Sequence, residues 1–491
     1  MSLKLIFTII LIIIVIGLIC VILLENRNPH KALGWILVLV LLPGLGIVLY
    51  ILFGRDKRQV KKINKHTSSR FNLSETPPLP YDEYPNASVA FKNKLLMDMV
   101  HEETLSKLLP SEEIAIFTQG KDKMESLLED INNAKESIHI EYYRILDDTT
   151  GGALAEALIR KSEEGVKVRL ICDYVGSFMT KSSYFTRLAR HGVDVRLFLK
   201  VYFPSLRSDI NYRNHRKIVV IDRNIGYLGG MNIGDHYTIG SKSREPWRDA
   251  HFRVTGWAVN GLQSAFISDW SVASKIILSD HYFMDPTLSM PPPTPNNSEA
   301  YKRAPKVSNV YVQTFTSGPT SRFRTLLQAW SRSIYEAKDH IYIETPYFLP
   351  TECLNKALIG AALSGINVTL VIPKDNDTFA VKYAAQSFYE ELLEAGVRIY
   401  HSSGQFSHTK LLTIDGEVAY IGSANMDFRS LEHNFEITSI VYDERFTRVL
   451  ETSIRDNISQ RCQELSLSRW CKRKLSLRFC QSFFRLFSPI M

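Results

Sequence analysis

One polar constellation is written twice in this chain, and that duplication limits the folds open to it more than any other feature. Asn214-His215-Arg216-Lys217 leads into the apolar run Ile218–Ile221, then Asp222 and, after six more residues, Gly229-Gly230-Met231-Asn232. Far downstream, Ser407-His408-Thr409-Lys410 leads into Leu411–Ile414, then Asp415 and, at the same spacing, Gly422-Ser423-Ala424-Asn425. Both copies read His-x-Lys-x4-Asp-x6-Gly-(Gly/Ser)-x-Asn, which composition alone does not produce twice. Two such copies imply two related domains facing each other across a shared cleft.

The flanks repeat as well. Ser137-Ile-His-Ile-Glu141-Tyr-Tyr and His340-Ile-Tyr-Ile-Glu344-Thr-Pro-Tyr are strand-like runs that end in an acid and aromatics. Each is followed by a helical stretch and a strand pattern, Leu154–Glu164 with Val166–Cys172 and Leu354–Leu363 with Ile366–Ile372. A further pair follows each, Tyr184–His191 with Val193–Phe198 and Ala380–Ala395 with Val397–Tyr400. Strands alternating with helices predict an α/β sheet in each half. Asp285–Ser298 contains Pro286, Pro291, Pro292, Pro293 and Pro295, which cannot continue a helix or a central strand and read as a linker. The expected domains are residues 110–284 and 305–467, joined by 285–304.

Side chains two apart on a strand share a face, so His215 and Lys217 point together, as do His408 and Lys410. An imidazole beside a fixed ammonium suits attack on a phosphodiester. The cation neutralises a nonbridging oxygen while the ring nitrogen reaches phosphorus. The glycine turns bring backbone amides close to the other phosphoryl oxygens, with Asn232, Ser423 and Asn425 as candidate supports. One histidine can attack and the other protonate the leaving alcohol, which gives two copies a use. Glu436 and, by aligning the halves, His251 read as residues that orient the opposite or adjacent imidazole, with a merely structural role as the alternative. Asp222 and Asp415 read equally as active-site members or as anchors for a lysine or a turn. Glu141 and Glu344 read as partners standing behind the site residues or, by preference, as strand-end caps, Asp147-Asp148 as a solvated loop, and His30, His191 and His401 as surface. No carboxylate cluster or Cys/His set has ligand spacing, and the six cysteines form no disulfide framework, so neither a metal nor a cofactor is expected.

The ends of the chain carry a different message. Leu5–Leu24 and Ala32–Gly54 are uncharged and apolar, each long enough to cross a hydrocarbon core of about 30 Å, and they predict a two-helix transmembrane hairpin over residues 1–54. Pro43 falls mid-span, where a kink is tolerated. The net charge of +8 sits at the ends: Arg55–Arg70 holds seven basic residues against Asp56, and Ser468–Met491 holds six against none. The basic juxtamembrane segment, within residues 55–109, places the N-terminus and all that follows in the cytoplasm by the positive-inside rule. It would also hold the domains against an anionic leaflet. The aromatic, basic tail, residues 468–491, is an expected interfacial anchor, with packing on the domain as the alternative. A nucleic-acid binder would carry its basic excess on the folded domains instead.

These stretches resemble the phospholipase D superfamily, whose hallmark is two His-Lys-Asp motifs, and within it the bacterial cardiolipin synthases. The resemblance runs through Glu25-Asn-Arg-Asn-Pro-His-Lys-Ala-Leu-Gly-Trp35, Asn211-Tyr-Arg-Asn-His-Arg-Lys217, Trp247-Arg-Asp-Ala-His251, Thr345-Pro-Tyr-Phe-Leu-Pro350, Gly422-Ser-Ala-Asn-Met-Asp-Phe-Arg-Ser430 and Asn434-Phe-Glu436. It implies two α/β sandwich repeats sharing one active-site cleft, with His215, Lys217, Asp222, His408, Lys410 and Asp415 catalytic. It further implies a phosphatidyl transfer through a phosphohistidine, on His215 by the usual assignment, without metal or nucleotide. Two phosphatidylglycerols would give cardiolipin and glycerol at the bacterial plasma membrane. Gly230 in place of a serine sets the first copy apart from the second. The competing readings are a lipid hydrolase, a phosphatidyltransferase with another donor or acceptor, a nuclease, and an inactive membrane scaffold.

Overall fold

The computed structural model describes residues 3–24, 29–54, 88–200, 212–241, 244–278, 282–284 and 294–488. The basic segment Arg55–Arg70, the N-terminal loop 25–28, Asn211, Lys242 and most of the proline-rich crossing lie outside the described residues.

The first apolar run forms one helix, Leu3–Leu24, whose 22 residues span about 33 Å, enough to cross a bilayer. The second does not. Pro43 lacks a backbone N–H and disfavours helix at the residue before it, so Leu42 leaves the helical region at φ −132° and ψ 62°. The run becomes two helices, Pro29–Leu41 and Pro43–Phe53, each too short to span. The rings of Trp35 and Tyr50 meet edge to face at 5.4 Å, whereas fifteen residues along a straight helix cover about 22 Å. The two helices therefore fold back on each other. Gly46 permits the tight turn, since a Cβ there would lie 2.6 Å from the Val38 carbonyl oxygen. Among the described residues one helix, not two, is long and apolar enough to cross a membrane.

The first half carries β1 (Leu108–Gln119), β2 (Ser137–Tyr142), β3 (Lys167–Asp173), β4 (Asp194–Phe198), β5 (Lys217–Ile221), β6 (Ile225–Gly229) and β7 (Arg248–Thr255). The second carries β8 (Lys306–Ser317), β9 (His340–Glu344), β10 (Phe348–Leu349), β11 (Asn367–Pro373), β12 (Arg398–Ser402) and β13 (Leu411–Ile414). It continues with β14 (Val418–Gly422), β15 (Met426–Asp427), β16 (Glu436–Tyr442) and β17 (Cys462–Glu464). The halves do not keep separate sheets. Antiparallel pairing of β1 with β8, from Leu108 opposite Gln313 to Ala115 opposite Lys306, fuses them into one fifteen-stranded sheet. Its order is β17-β12-β11-β9-β13-β14-β16-β8-β1-β7-β6-β5-β2-β3-β4, so a pseudo-twofold axis passes between β1 and β8.

Helices cover both faces of the sheet. Helix Thr149–Glu163 packs in the first-half core, helix Glu352–Leu363 occupies the equivalent place in the second, and Glu444–Arg461 lines a third core shared by both halves. With both faces covered, β5 is buried along its whole length, which is why it reads as a continuous apolar run. Burying each of Ile218–Ile221 is worth about 1.5–3 kcal/mol.

Candidate active site

The strands that deliver the two motifs are tied across the pseudo-twofold. The His215 N–H donates to the Phe435 carbonyl (2.9 Å) and the Phe435 N–H to the Arg213 carbonyl (2.8 Å). Likewise the His408 N–H donates to the Arg248 carbonyl (2.7 Å) and the Arg248 N–H to the Phe406 carbonyl (3.0 Å). The next residue on each receiving strand is an acid of the other repeat, Glu436 for His215 and Asp249 for His408. His215 Nδ1 lies 3.0 and 3.1 Å from the two Glu436 oxygens, and His408 Nδ1 lies 2.9 Å from Asp249 Oδ2. Each imidazole is thus oriented by a carboxylate from the opposite half, leaving both Nε2 atoms without a partner among the described residues.

The unequal turns match the unequal acids. Ser423 donates its hydroxyl to Glu436. At the equivalent Gly230 a Cβ would lie 2.2 Å from Asp249 Oδ1, so the shorter acid occupies the space a serine would need. Lys217 and Lys410 each donate to the carbonyl of their own motif histidine, and Lys410 Nζ is also 3.3 Å from Asp249. Neither asparagine side-chain oxygen, in Asn232 or Asn425, has a partner among the described residues, and both residues are buried beside the turns.

Burial sets the electrostatics. It lowers His215 to about 4, against the pull of Glu436 and with help from Lys217 and Lys410. His408 is held well below the ordinary imidazole range by burial and by the same two lysines. Burial also lowers Lys217 to about 7. For Glu436 burial acts upward, but His215, Lys217 and Ser423 outweigh it and leave the carboxyl at about 2. Asp249 stays raised at about 6, burial being only partly offset by Lys410. At neutral pH two neutral imidazoles therefore face two carboxylates, with Lys217 close to the midpoint of its titration beside them.

Asp222 and Asp415 sit elsewhere. Each caps the far end of its strand, about 16 Å from the lysine by strand rise. Asp222 accepts the backbone N–H groups of Lys135, Glu136 and Ser137 (2.7, 2.7 and 2.9 Å), and Asp415 those of Lys338, Asp339 and His340 (2.8, 2.8 and 3.0 Å). Both adopt positive φ, 48° and 54°, at the tight β5–β6 and β13–β14 turns. Of their two readings, the geometry is that of an anchor.

Glu141 and Glu344 support the residue before each histidine: Glu141 accepts from the Asn214 amide, Glu344 from the Ser407 hydroxyl (2.6 Å) and Arg248 (2.7 Å). His251 lies away from the reacting nitrogens, buried opposite Gly229, and its ring nitrogens have no partner among the described residues. Strand register gives the reason. His251 faces Gly229 as Thr438 faces Gly422, so the counterpart of Glu436 is Asp249, two residues earlier. Counting from the turn glycines does not find it, because Glu436 lies 14 residues after Gly422 and Asp249 lies 20 after Gly229.

Tyr237 carried no sequence signal, yet its hydroxyl lies 2.9 Å from His408 Nδ1, and Trp247, Tyr347 and Phe406 surround the same ring at 5.4–6.2 Å. Among the described residues Tyr143 alone stands edge-on to His215, at 5.0 Å. Asp148 caps helix Thr149–Glu163 rather than lying free in a loop, and His401 is buried rather than at the surface. Among the described residues no group of three His, Cys, Asp or Glu is placed to hold a metal.

Residues 127–245 and 331–457 match the family described as cardiolipin synthase, PLD-like domain. The chain belongs to the phospholipase D-like cardiolipin synthase family. Its residues 6–55 also match the family described as Phospholipase D-nuclease N-terminal. It is 36% identical over 484 residues to cardiolipin synthase 2 of Bacillus anthracis, covering 96% of this chain and 89% of that one. Over 488 residues it is 36% identical to the cardiolipin synthase of Oceanobacillus iheyensis, covering 96% of each. In fold it is similar to the crystal structure of phosphatidylserine synthase from Haemophilus influenzae Rd KW20, with a TM-score of 0.59 at 14% identity over 82% of this chain and all of that one.

Proposed function

We propose that this membrane-bound phosphatidyltransferase converts two phosphatidylglycerols into cardiolipin and glycerol. The observation that carries the reading is the crossed pair of imidazole–carboxylate contacts, His215 with Glu436 and His408 with Asp249. Such a site can hold a phosphodiester between two ring nitrogens, one on each side of phosphorus, with Lys217 and Lys410 against the nonbridging oxygens.

The partners of the two rings support different roles. His215 Nδ1 faces only carboxylate oxygens, so it donates and leaves a lone pair on Nε2 for attack on phosphorus. His408 Nδ1 faces the Tyr237 hydroxyl and, at 2.6 Å, the Lys410 ammonium as well as Asp249. Once the ring is protonated, its Nδ1–H donates to Asp249 and its Nε2–H stands ready for the leaving oxygen. Arrival of an anionic phosphodiester opposes the burial effect and favours the protonated ring. Nε2 of His215 then bonds to phosphorus as the P–O bond to glycerol breaks, and His408 delivers the proton to that oxygen. In the second half-reaction His408 takes a proton from a hydroxyl of the second phosphatidylglycerol, whose oxygen displaces His215. One phosphodiester is broken and one made, so no activated nucleotide is needed.

For the N-terminus we propose that Leu3–Leu24 crosses the bilayer once and that the folded-back pair Pro29–Leu41 and Pro43–Phe53 enters and leaves from one side. Two backbone amides at its turn pair within it, with Leu42 N–H donating to the Val38 carbonyl and Gly46 N–H to the Leu42 carbonyl. On this reading Arg27, Lys31 and the basic run after Gly54 all lie on the cytoplasmic side with the catalytic repeats, in keeping with the positive-inside rule. A two-span hairpin would leave Arg27 and Lys31 outside.

Purified enzyme given phosphatidylglycerol alone should yield cardiolipin and glycerol in equal amounts, and excess glycerol should reverse the reaction. Phosphatidic acid as the main product would replace this reading with hydrolysis. Acid-quenched His408→Ala enzyme should carry phosphatidyl label on His215; label on His408 in His215→Ala enzyme would reverse the roles.

A further inference from the structure

Each catalytic histidine has an apolar loop beside it with side chains left uncovered. In the first repeat the loop after β3 presses Gly176 against Tyr143, the ring beside His215: a Cβ at Gly176 would lie 2.2 Å from the Tyr143 carbonyl oxygen. Two and three residues on, Phe178 is 74% and Met179 80% exposed. In the second repeat β11 is the equivalent strand. Asp377 in the loop after it accepts from the Tyr347 hydroxyl at 2.9 Å, and the Tyr347 ring stands edge-on to His408 at 6.0 Å. Phe379 follows, 61% exposed. The pseudo-twofold thus sets an apolar lip on each side of the cleft.

The C-terminal helix Leu475–Arg485 extends the second lip. Phe484 packs against Phe379 at 5.7 Å and Tyr383 at 6.1 Å, while Phe479 on the same helix is 73% exposed. The residues 466–488 contain no acid. Arg473, Arg478 and Arg485 are matched by Glu390 and Glu391 of the domain, but Arg469, Lys472 and Lys474 are exposed and have no ion-pair partner among the described residues. Exposed apolar rings next to unmatched cations are the chemistry of an interfacial helix.

We propose that the two lips and the helix Leu475–Arg485 seat the catalytic repeats on an anionic phospholipid bilayer with the cleft mouth against the headgroups. This rests on the reading that the substrates are phospholipids. A second copy of the chain would oppose like charge to like across this face, whereas phosphodiester headgroups complement it. The chain also carries its own membrane helix, so a bilayer is always within reach. Lipid would enter the cleft between the lips without crossing bulk water.

The test uses full-length enzyme in phosphatidylglycerol–phosphatidylcholine vesicles, with a fluorescent non-natural residue at position 178, 479 or 363. Leu363 is exposed and ends the helix that leads into β11, on the side of the N-terminal end of that strand, whereas the lip follows its C-terminal end. Lipids bearing a nitroxide near the headgroup should quench positions 178 and 479 at least threefold more than 363. Equal quenching at all three positions, or signals that follow protein density instead of lipid, would overturn the proposal. Independently, Phe178→Glu with Met179→Glu should raise KM for vesicle lipid about tenfold while leaving kcat on short-chain lipid in micelles unchanged; no change in vesicles would also overturn it. Because quenching reports position and not chemistry, unquenched lips with cardiolipin still formed would reject the docking alone. Quenched lips with phosphatidic acid as product would reject the reaction alone.

Discussion

Glu436→Gln preserves the shape of the side chain and removes the charge that holds His215. The carboxylate accepts from His215 Nδ1 at 3.0 Å, from the Asn434 amide at 3.2 Å and from the Ser423 hydroxyl. An amide has one oxygen for these three donors, and its NH2 must face one of them. A hydrogen bond to a charged group is worth about 1.5–3 kcal/mol net, so at about 1.4 kcal/mol per factor of ten, kcat should fall about 10- to 150-fold. A second effect has a definite sign. Glu436 raises the Lys217 pKa against the burial that lowers it to about 7, so removing the charge moves that lysine lower still. The ammonium is then lost at lower pH, and the alkaline limb of kcat shifts toward acid. Release of labelled glycerol from phosphatidylglycerol in mixed micelles, followed from about pH 5 to 9, measures both effects. A kcat within twofold of the parent enzyme with an unmoved alkaline limb would refute the crossed-carboxylate argument.

Asp222→Asn and Asp415→Asn should each lose about 1–3 kcal/mol of stability, read as a lower Tm, with turnover per folded molecule within about threefold; a large loss of kcat at unchanged Tm would return these residues to the reaction. As pH falls, Asp249 at about 6 is protonated before His215 at about 4, so the acid limb of kcat/KM should lie near 6 and vanish in Asp249→Asn. A limb that persists in that variant has another source. Activity should survive exhaustive chelation because Lys217 and Lys410 supply the positive charge, and a strict requirement for one divalent ion would sink that view. Reporters fused before Met1 and after Met491 should lie on opposite sides of the membrane; both on the cytoplasmic side would restore two full spans.

The duplication, the strand–helix alternation and the two His-x-Lys pairs were legible because they depend on local spacing. What hid was whatever depends on which distant strands meet. Asp249 could not be recognised as the partner of His408 until β7 of one repeat was seen beside the segment preceding β13 of the other. Pro43 permits either a kink or a fold-back, and the contact of Trp35 with Tyr50 decides between them. Asp222 and Asp415 kept two readings because sequence fixes their distance from the lysine along the chain but not which backbone amides they reach. His401 was placed at the surface because nothing near it in sequence announces the core that covers it.

The crossed carboxylates also separate the units of folding from the units of chemistry. The first repeat packs around β2–β3–β4 and the second around β9–β11–β12, yet each contains one imidazole and the acid that serves the other. Substitutions at His215 and Glu436, far apart in sequence and in different repeats, should behave as damage to a single device and fail to add. Substitutions at His408 and Glu436, in the same repeat, belong to different devices. Interrupting the chain at the proline-rich crossing would give two fragments, each inert because each lacks the acid that aligns its histidine. Any return of turnover on mixing them would measure how well β1 finds β8.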